Sequence, residues 1–314
     1  MNIDIIVPCY GREEKMIPLL ESIKRQSYRV FMVTLVNDCS PNTTNNYKSL
    51  VDKYSKFFNI RCIKTEVNSG QGLARQFGID NSYADWITFA DEDDEFEDNA
   101  LMNLWKHSNP KIVLVNGNVR TNRDKDKYKF AETNNKNLTY VWGRLYKREY
   151  LVKNNIKFDY LTSRCFEDTY FIQLLYATMV MDPAVRVKNI NEYVYIWKDG
   201  ETQSVSDKFK IQAMSLLPYV TLAFYYRVKD KCPEEARLSD DFSDFMLSHA
   251  DNWLANFSST ENYIEEMDEY QKKVAQNWIE VGIMELKTRC PKAIEIYGKK
   301  YEKLITKYNK KWQD

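Results

Sequence analysis

The chain of 314 residues contains only two histidines, and its six cysteines (Cys9, Cys39, Cys62, Cys165, Cys232 and Cys290) include no Cys-x-x-Cys pair. That scatter argues against a zinc site or a disulfide framework. Net charge is absent as well, because 45 basic side chains offset 45 acidic ones. No global field recruits nucleic acid or an anionic membrane, so any charged partner must be met locally. Long apolar runs are also missing: the stretch from Ala213 to Tyr226 is broken by Ser215, Pro218 and Thr221 and is too short to span a bilayer. The opening MNIDIIVPCYG has neither a basic n-region nor a long apolar h-region, and it alternates like a first strand. These absences predict a soluble, cytoplasmic protein in which the sequons at Asn42, Asn137 and Asn256 are chance matches.

What is present is enough hydrophobic sequence, 44% with 14% aromatic, to bury a core without staples. Short apolar segments at 3–7, 30–36, 60–63, 86–90 and 112–117 read as buried strands. Helical patterns lie between them: Met16, Leu19, Leu20 and Ile23; then Tyr47, Leu50, Val51 and Tyr54; then Leu73 to Ile79; then Leu101 to Trp105. This alternation predicts an α/β fold with a mostly parallel, Rossmann-like sheet flanked by helices, and a ligand site beyond the carboxyl ends of the strands. Polar clusters at 8–12, 37–42 and 68–75 and the acids from Asp91 each follow a strand, so four loops share one rim.

After about residue 208 the strands stop and long helical periods take over, which sets a boundary between a domain at 1–208 and a helical region at 209–314. Ile294, Tyr297, Tyr301, Leu304, Tyr308 and Trp312 form one stripe at helical spacing, among nine Lys or Arg and two Glu in 287–311. Two readings stand for that basic tail: packing on its own domain, or contact with an anionic acceptor or the inner membrane face. Apolar surface between Tyr219 and Tyr226 is a candidate homo-oligomer interface.

The densest chemistry is WITFADEDDEF, at 86–96: seven of the eight positions from Asp91 to Asp98 are Asp or Glu. Adjacent carboxylates repel and take up protons unless a cation offsets them. Oxygen ligands suit magnesium, manganese or calcium, and magnesium in particular is held by one or two carboxylates plus substrate phosphates. Glu95, Glu97 and Asp98 also read as an exposed loop opening a helix, with Asp98 as N-cap. The loop lacks the glycine and alternating ligands of an EF-hand.

IIVPCYGRE, VNDCSPN, NSGQGLARQFGI, ITFADEDD, VWGRLYKREYL and FEDTYF, in that order and spacing, closely resemble the family 2 glycosyltransferases with the GT-A fold. The resemblance covers roughly 1–205. It implies an inverting transfer of a sugar from a nucleoside diphosphate donor, with UDP the expected carrier, to an acceptor hydroxyl. By the same resemblance Pro8, Tyr10 and Arg12 line the nucleoside, Asp38 reads the base, and Asn68, Gly70 and Arg75 lie beside ribose and diphosphate. ADEDD looks like the family's DxD motif. Asp91 would contact the ribose or the metal, Glu92 would lie at the donor, and Asp93 would hold a divalent ion, manganese or magnesium; Asp94 is an alternative in the register.

FED at 166–168 resembles the second acidic motif and makes Asp168 the candidate base; Glu167 would orient the acceptor or cap the helix from Thr169 to Met179. Trp142 and Arg144 fall where the family shapes the sugar or acceptor pocket, although a tryptophan is as often plain core. In YVYIWKDGETQSVS, Ile196 replaces an expected Arg, Lys198 is the substitute phosphate contact, and 197–206 would form a lid hinged at Gly200. Gly70-Gln71-Gly72 is no dinucleotide fingerprint, since it follows the third strand and Arg75 occupies the place of the last small residue. A nucleotidyltransferase would want a glycine-rich basic loop that PCYGREEK lacks.

A non-catalytic nucleotide-sugar-binding protein is the alternative from another class. His107 and His249 have no motif around them. Acceptor classes consistent with the resemblance are a glycan, a teichoic acid, a lipid-linked sugar or a protein, while zero net charge argues against nucleic acid.

Overall fold

The computed structural model describes residues 2–41, 47–124, 127–131, 140–198, 209–231 and 240–309. The chain forms two compact units, one of 1–175 with 182–203 and one of 176–181 with 204–314.

The first unit is built on a sheet of β1 (Ile3–Cys9), β2 (Phe31–Asn37), β3 (Asn59–Lys64), β4 (Trp86–Phe89), β5 (Glu95–Phe96), β6 (Ile112–Asp124), β7 (Lys127–Ala131), β8 (Arg144–Lys147) and β9 (Arg186–Trp197). Its order is β3-β2-β1-β4-β8-β6-β9-β5, with β7 beside β6. β1 pairs in parallel with β2 and β4, and β2 with β3. Every residue of β1 is buried, as expected for a central strand covered on both faces. Helices α1 (Ile17–Lys24), α2 (Lys48–Tyr54), α3 (Gln71–Asp80), α4 (Ala100–Trp105), α5 (Arg148–Lys153) and α6 (Glu167–Val180) accompany the sheet. α3 packs on β1 and β2, and α2 on β3.

Beyond β4 the sheet changes character. β8 runs antiparallel to both β4 and β6, β5 runs antiparallel to β9, and only β6 with β9 is again parallel. The expectation of parallel strands therefore holds for the first four. β8 is four residues long and β9 is half exposed along most of its length, so neither shows a clear apolar run.

The acidic stretch is corrected in one respect. Glu95 belongs to β5, opposite Ile196, and Asp98 is not the N-cap of α4. That place is taken by Asn99 at φ 61°, with no side-chain cap, while Asp98 pairs with Arg25 at 3.4 Å. Pairing with β9 draws the chain into the sheet before the helix starts.

The second unit holds α7 (Lys210–Lys231), α8 (Asp240–Glu261), α9 (Glu269–Arg289), α10 (Pro291–Tyr297) and α11 (Glu302–Asn309). Asp268 and Gln271 form a capping box at the start of α9. Leu222, Trp253, Phe257, Ile283, Tyr301, Leu304 and Tyr308 share one core, with Ile294 and Tyr297 packed against it. The aromatic stripe of the tail thus packs on its own helices; Trp312 lies outside the described residues. Within α7, Val220, Leu222, Ala223 and Tyr225 are buried. No described helix is long and apolar enough to cross a membrane.

Candidate active site

The loops after β1, β2, β3 and β4 are tied together by side chains. Pro8 lies within β1, and Tyr10, just after the strand, is 46% exposed. The Gly11 amide donates to Ser40 Oγ and to the Tyr47 hydroxyl, both at 2.9 Å. Arg12 lies 3.7 Å from both Glu92 and Asp93, and the Tyr10 amide donates to Glu92 at 3.4 Å. Glu92 therefore fastens the first loop to the acidic one.

Asp38 is buried and serves the chain itself. Its Oδ1 accepts from the Ser69 amide at 3.0 Å and from Thr65 Oγ1 at 3.1 Å; its Oδ2 accepts from the Gly70 amide at 2.8 Å. This fixes the segment that carries Asn68. The Asn68 carbonyl accepts from Arg164 at 2.8 Å, whereas its buried side-chain Oδ1 has no hydrogen-bond partner among the described residues.

Two glycines let this segment approach the turn before α6. Gly70 has φ +88°, and a Cβ there would stand 2.7 Å from the Ser163 carbonyl. A Cβ on Gly72 would stand 2.8 Å from that of Glu167, and its amide donates to the Ser163 carbonyl at 2.9 Å. Close packing here brings α3 against the start of α6 and sets the position of Arg75.

Arg75 is the hub. Its side chain is 1% exposed, and its guanidinium donates to Asp91 at 2.6 Å, Glu167 at 2.9 Å and Asp168 at 3.0 Å. Burial alone would favour a neutral guanidine, but Asp168, Asp91 and Glu167 outweigh it and hold the group charged. Arg75, expected by resemblance beside ribose and diphosphate, joins three carboxylates in the structure. Glu167 is the first residue of α6 and turns to Arg75 and Gln71. Burial and the Glu167 carboxylate push the Asp168 carboxyl well above its ordinary range, and Arg75 and a main-chain hydrogen bond from Val141 oppose them.

The acids after β4 divide in two. Asp94 turns inward, accepting from the Tyr195 hydroxyl and from the Lys198 amide, both at 2.8 Å, while the Asp91 amide donates to the same hydroxyl at 2.9 Å. Asp93 keeps a side chain that is 40% exposed. Burial and the neighbouring Asp91 push its carboxyl up, as expected of anions not yet offset. No cluster of three or more His, Cys, Asp or Glu converges as a metal cage among the described residues. One or two carboxylates nevertheless fit magnesium, which needs no all-protein cage.

Burial drives Glu92 up to about 7, against the attraction of Arg12. The folded state then binds a proton that the unfolded state, near 4.5, releases, so stability falls as pH rises from about 4.5 to 7. In EDTA, Glu92→Gln is expected to remove about 2 kcal/mol of that pH dependence in urea melts between pH 5 and 8. Parallel pH profiles for variant and wild type would rule this out.

The other expected site residues have partners within the chain. Arg144 is fully buried in β8 and donates to Asn116 at 3.0 Å. Trp142 is 3% exposed and stacks between Tyr140 and Tyr195. Lys198 pairs through its ammonium with Glu95. The expected lid from 199 onward, with Gly200, lies outside the described residues. Neither Tyr195 nor Val141 carries a role in the sequence reading, although they lie in YVYIWKDGETQSVS and VWGRLYKREYL, two stretches that resemble the family.

A twisted α/β sheet of this order, with its loops drawn around an acidic strand end, is the architecture of the GT-A glycosyltransferases. The chain belongs to glycosyl transferase family 2, whose model matches residues 4–173. It is 27% identical over 230 residues to the uncharacterized glycosyltransferase EpsJ of Bacillus subtilis, covering 66% of this chain and 64% of that one. It is 28% identical over 222 residues to a poly(ribitol-phosphate) beta-glucosyltransferase of Bacillus spizizenii, covering 66% and 34%. The matched stretch is thus less than two thirds of either relative's length. Among solved structures, residues 1–349 of Staphylococcus aureus TarS in complex with UDP-GlcNAc superimpose with TM-score 0.65 at 17% identity, covering 98% of this chain and 92% of that one. A Pyrobaculum calidifontis mannosyltransferase in complex with GDP-Man and Mn2+ gives 0.51 at 15% identity, covering 98% and 84%.

Proposed function

We propose that the protein transfers a sugar from a UDP-sugar to an acceptor hydroxyl with inversion at the anomeric carbon, Asp168 acting as general base. The observation that carries this is Arg75, which holds Asp91 of the donor loop and Asp168 of α6 on one buried guanidinium. Asp168 accepts the acceptor proton as the new C–O bond forms and the bond to the diphosphate breaks. Arg75 and the Val141 main chain orient that carboxylate. Asp93 and Asp91 would hold magnesium or manganese, which offsets the charge of the departing diphosphate.

The inward turn of Asp94 favours Asp91 and Asp93 as the DxD pair. At the nucleoside side, Tyr10 and Arg12 are exposed, and the orphaned Asn68 oxygen is an acceptor suited to a ribose hydroxyl or a base N–H. Pro8, Gly70 and Asp38 shape this rim through the backbone. The UDP-GlcNAc held by TarS supports uridine, the GDP-Man and Mn2+ held by the mannosyltransferase support a metal, and the poly(ribitol-phosphate) beta-glucosyltransferase supports a polymer as acceptor.

The test is a thermal-shift titration with UDP, GDP, CDP, TDP and ADP, with and without manganese. Ligand bound only to the folded state raises its melting temperature. A manganese-dependent rise with UDP is expected; a folded protein indifferent to all five would sink the donor assignment.

A further inference from the structure

The acids that follow β4 sit on a tight turn, and one hydroxyl holds both of its ends. Within the turn, the Asp94 amide donates to the Asp91 carbonyl at 3.2 Å. From outside, the Tyr195 hydroxyl accepts from the Asp91 amide at 2.9 Å and donates to Asp94 Oδ2 at 2.8 Å. Asp94 Oδ1 in turn accepts from the Lys198 amide at 2.8 Å. Asp91 and Asp93 are thus carried by a turn whose first and last residues are fastened to the end of β9.

The hydroxyl is fixed because its ring is held on two sides. Tyr195 is fully buried and stands opposite Phe96 of β5 and Val119 of β6 in the sheet. Its ring meets Phe96 edge-on at 5.4 Å and 87° and stacks on Trp142 at 5.3 Å and 12°. A phenol both donates and accepts, so one group meets an amide and a carboxylate at once; phenylalanine would keep the ring and remove both bonds.

We infer that Tyr195 is a positioning residue: its hydroxyl, together with Asp94, sets the turn so that Asp91 and Asp93 present their carboxylates to one divalent cation. This rests on the assignment of Asp91 and Asp93 as the metal pair. Asp94 is buried with both oxygens engaged, so it braces the turn and does not ligate. Asp91 and Asp93 keep partly exposed side chains that an ion can reach. On an unbraced turn the two carboxylates would move apart under their mutual repulsion, and binding a cation would first have to bring them back. Bracing from β9 removes that step, because the turn is already set when the chain has folded.

The test is Tyr195→Phe in the full chain. Manganese binding is followed by the EPR signal of the free ion, with and without UDP, and uridine binding by saturation-transfer NMR. Manganese affinity is expected to fall about tenfold, the scale of a lost hydrogen bond to a charged group. Uridine has no phosphate to meet a metal, and its binding is expected to stay within about twofold. A loss of packing alone would not separate the two ligands. Asp94→Asn leaves one of the two donors without an acceptor and is expected to show the same split, which decides the matter if the first variant does not fold. Combining the two changes is expected to add little, since both break one network. Unchanged manganese affinity in the folded variants, or equal losses of manganese and uridine, would overturn the positioning role. A wild type that binds manganese but not UDP would overturn the donor assignment while the manganese series still decides the role of Tyr195. A wild type that binds no manganese, with or without UDP, would overturn the metal pair and the positioning role together.

Discussion

Asp168→Asn is expected to lower sugar transfer about 10²–10⁴-fold, the usual worth of a positioned general base. The asparagine oxygen still accepts from Arg75, so the local geometry survives while the group that takes the proton is lost. UDP affinity, read by calorimetry, should stay within about twofold, because a base on Asp168 would act on the acceptor side. A folded variant with wild-type turnover removes Asp168 from the reaction, and equal losses in turnover and UDP affinity would make it a donor ligand instead.

Arg75→Met is expected to destabilise the fold by about 3–5 kcal/mol at pH 8, the cost of leaving buried charges without their partner. Asp91, Glu167 and Asp168 would then crowd one another with no guanidinium between them. Arg75 is one of the influences holding the Asp168 carboxyl down, so its removal drives that group further up. A folded-state value above the unfolded one means that the folded form takes up protons, and stability is lost as pH rises through it. The variant should accordingly recover part of its loss at pH 5. Urea melts at the two pH values decide this, and an equal deficit at both would show that Arg75 matters only by packing. Arg75→Lys should lie between, since one ammonium keeps the charge but not the planar fork that meets three carboxylates.

The first half of the sheet was legible because its strands are short apolar runs bounded by polar loops, and burial on both faces leaves no other composition open to them. The second half was less so. β8 spans four residues, and β9 carries exposed Arg186, Lys188 and Asn191 beside buried Val194 and Tyr195, so its character comes from the neighbours it pairs with. Among candidate site residues, the acids at 91–93 and at 167–168 stood out by local density and by resemblance. Arg144 stood out by resemblance alone, and the sheet buries it against Asn116. Resemblance marks a position along the chain and not the direction of its side chain.

By itself the sequence determined a parallel αβ core, an acidic strand end at a rim of four loops, and a second acidic pair ahead of a helix. All of these are properties of residues within a few positions of one another, where hydrophobic period and like-charge crowding act directly. Tertiary structure alone decided that Arg75 joins Asp91 to Glu167, which is 92 positions away along the chain, and that Tyr195 sets Asp91 and Asp94 from 104 and 101 positions away. Which partner neutralises a buried charge depends on close approach of backbones, here at Gly70 and Gly72, and close approach exists only once the chain has packed.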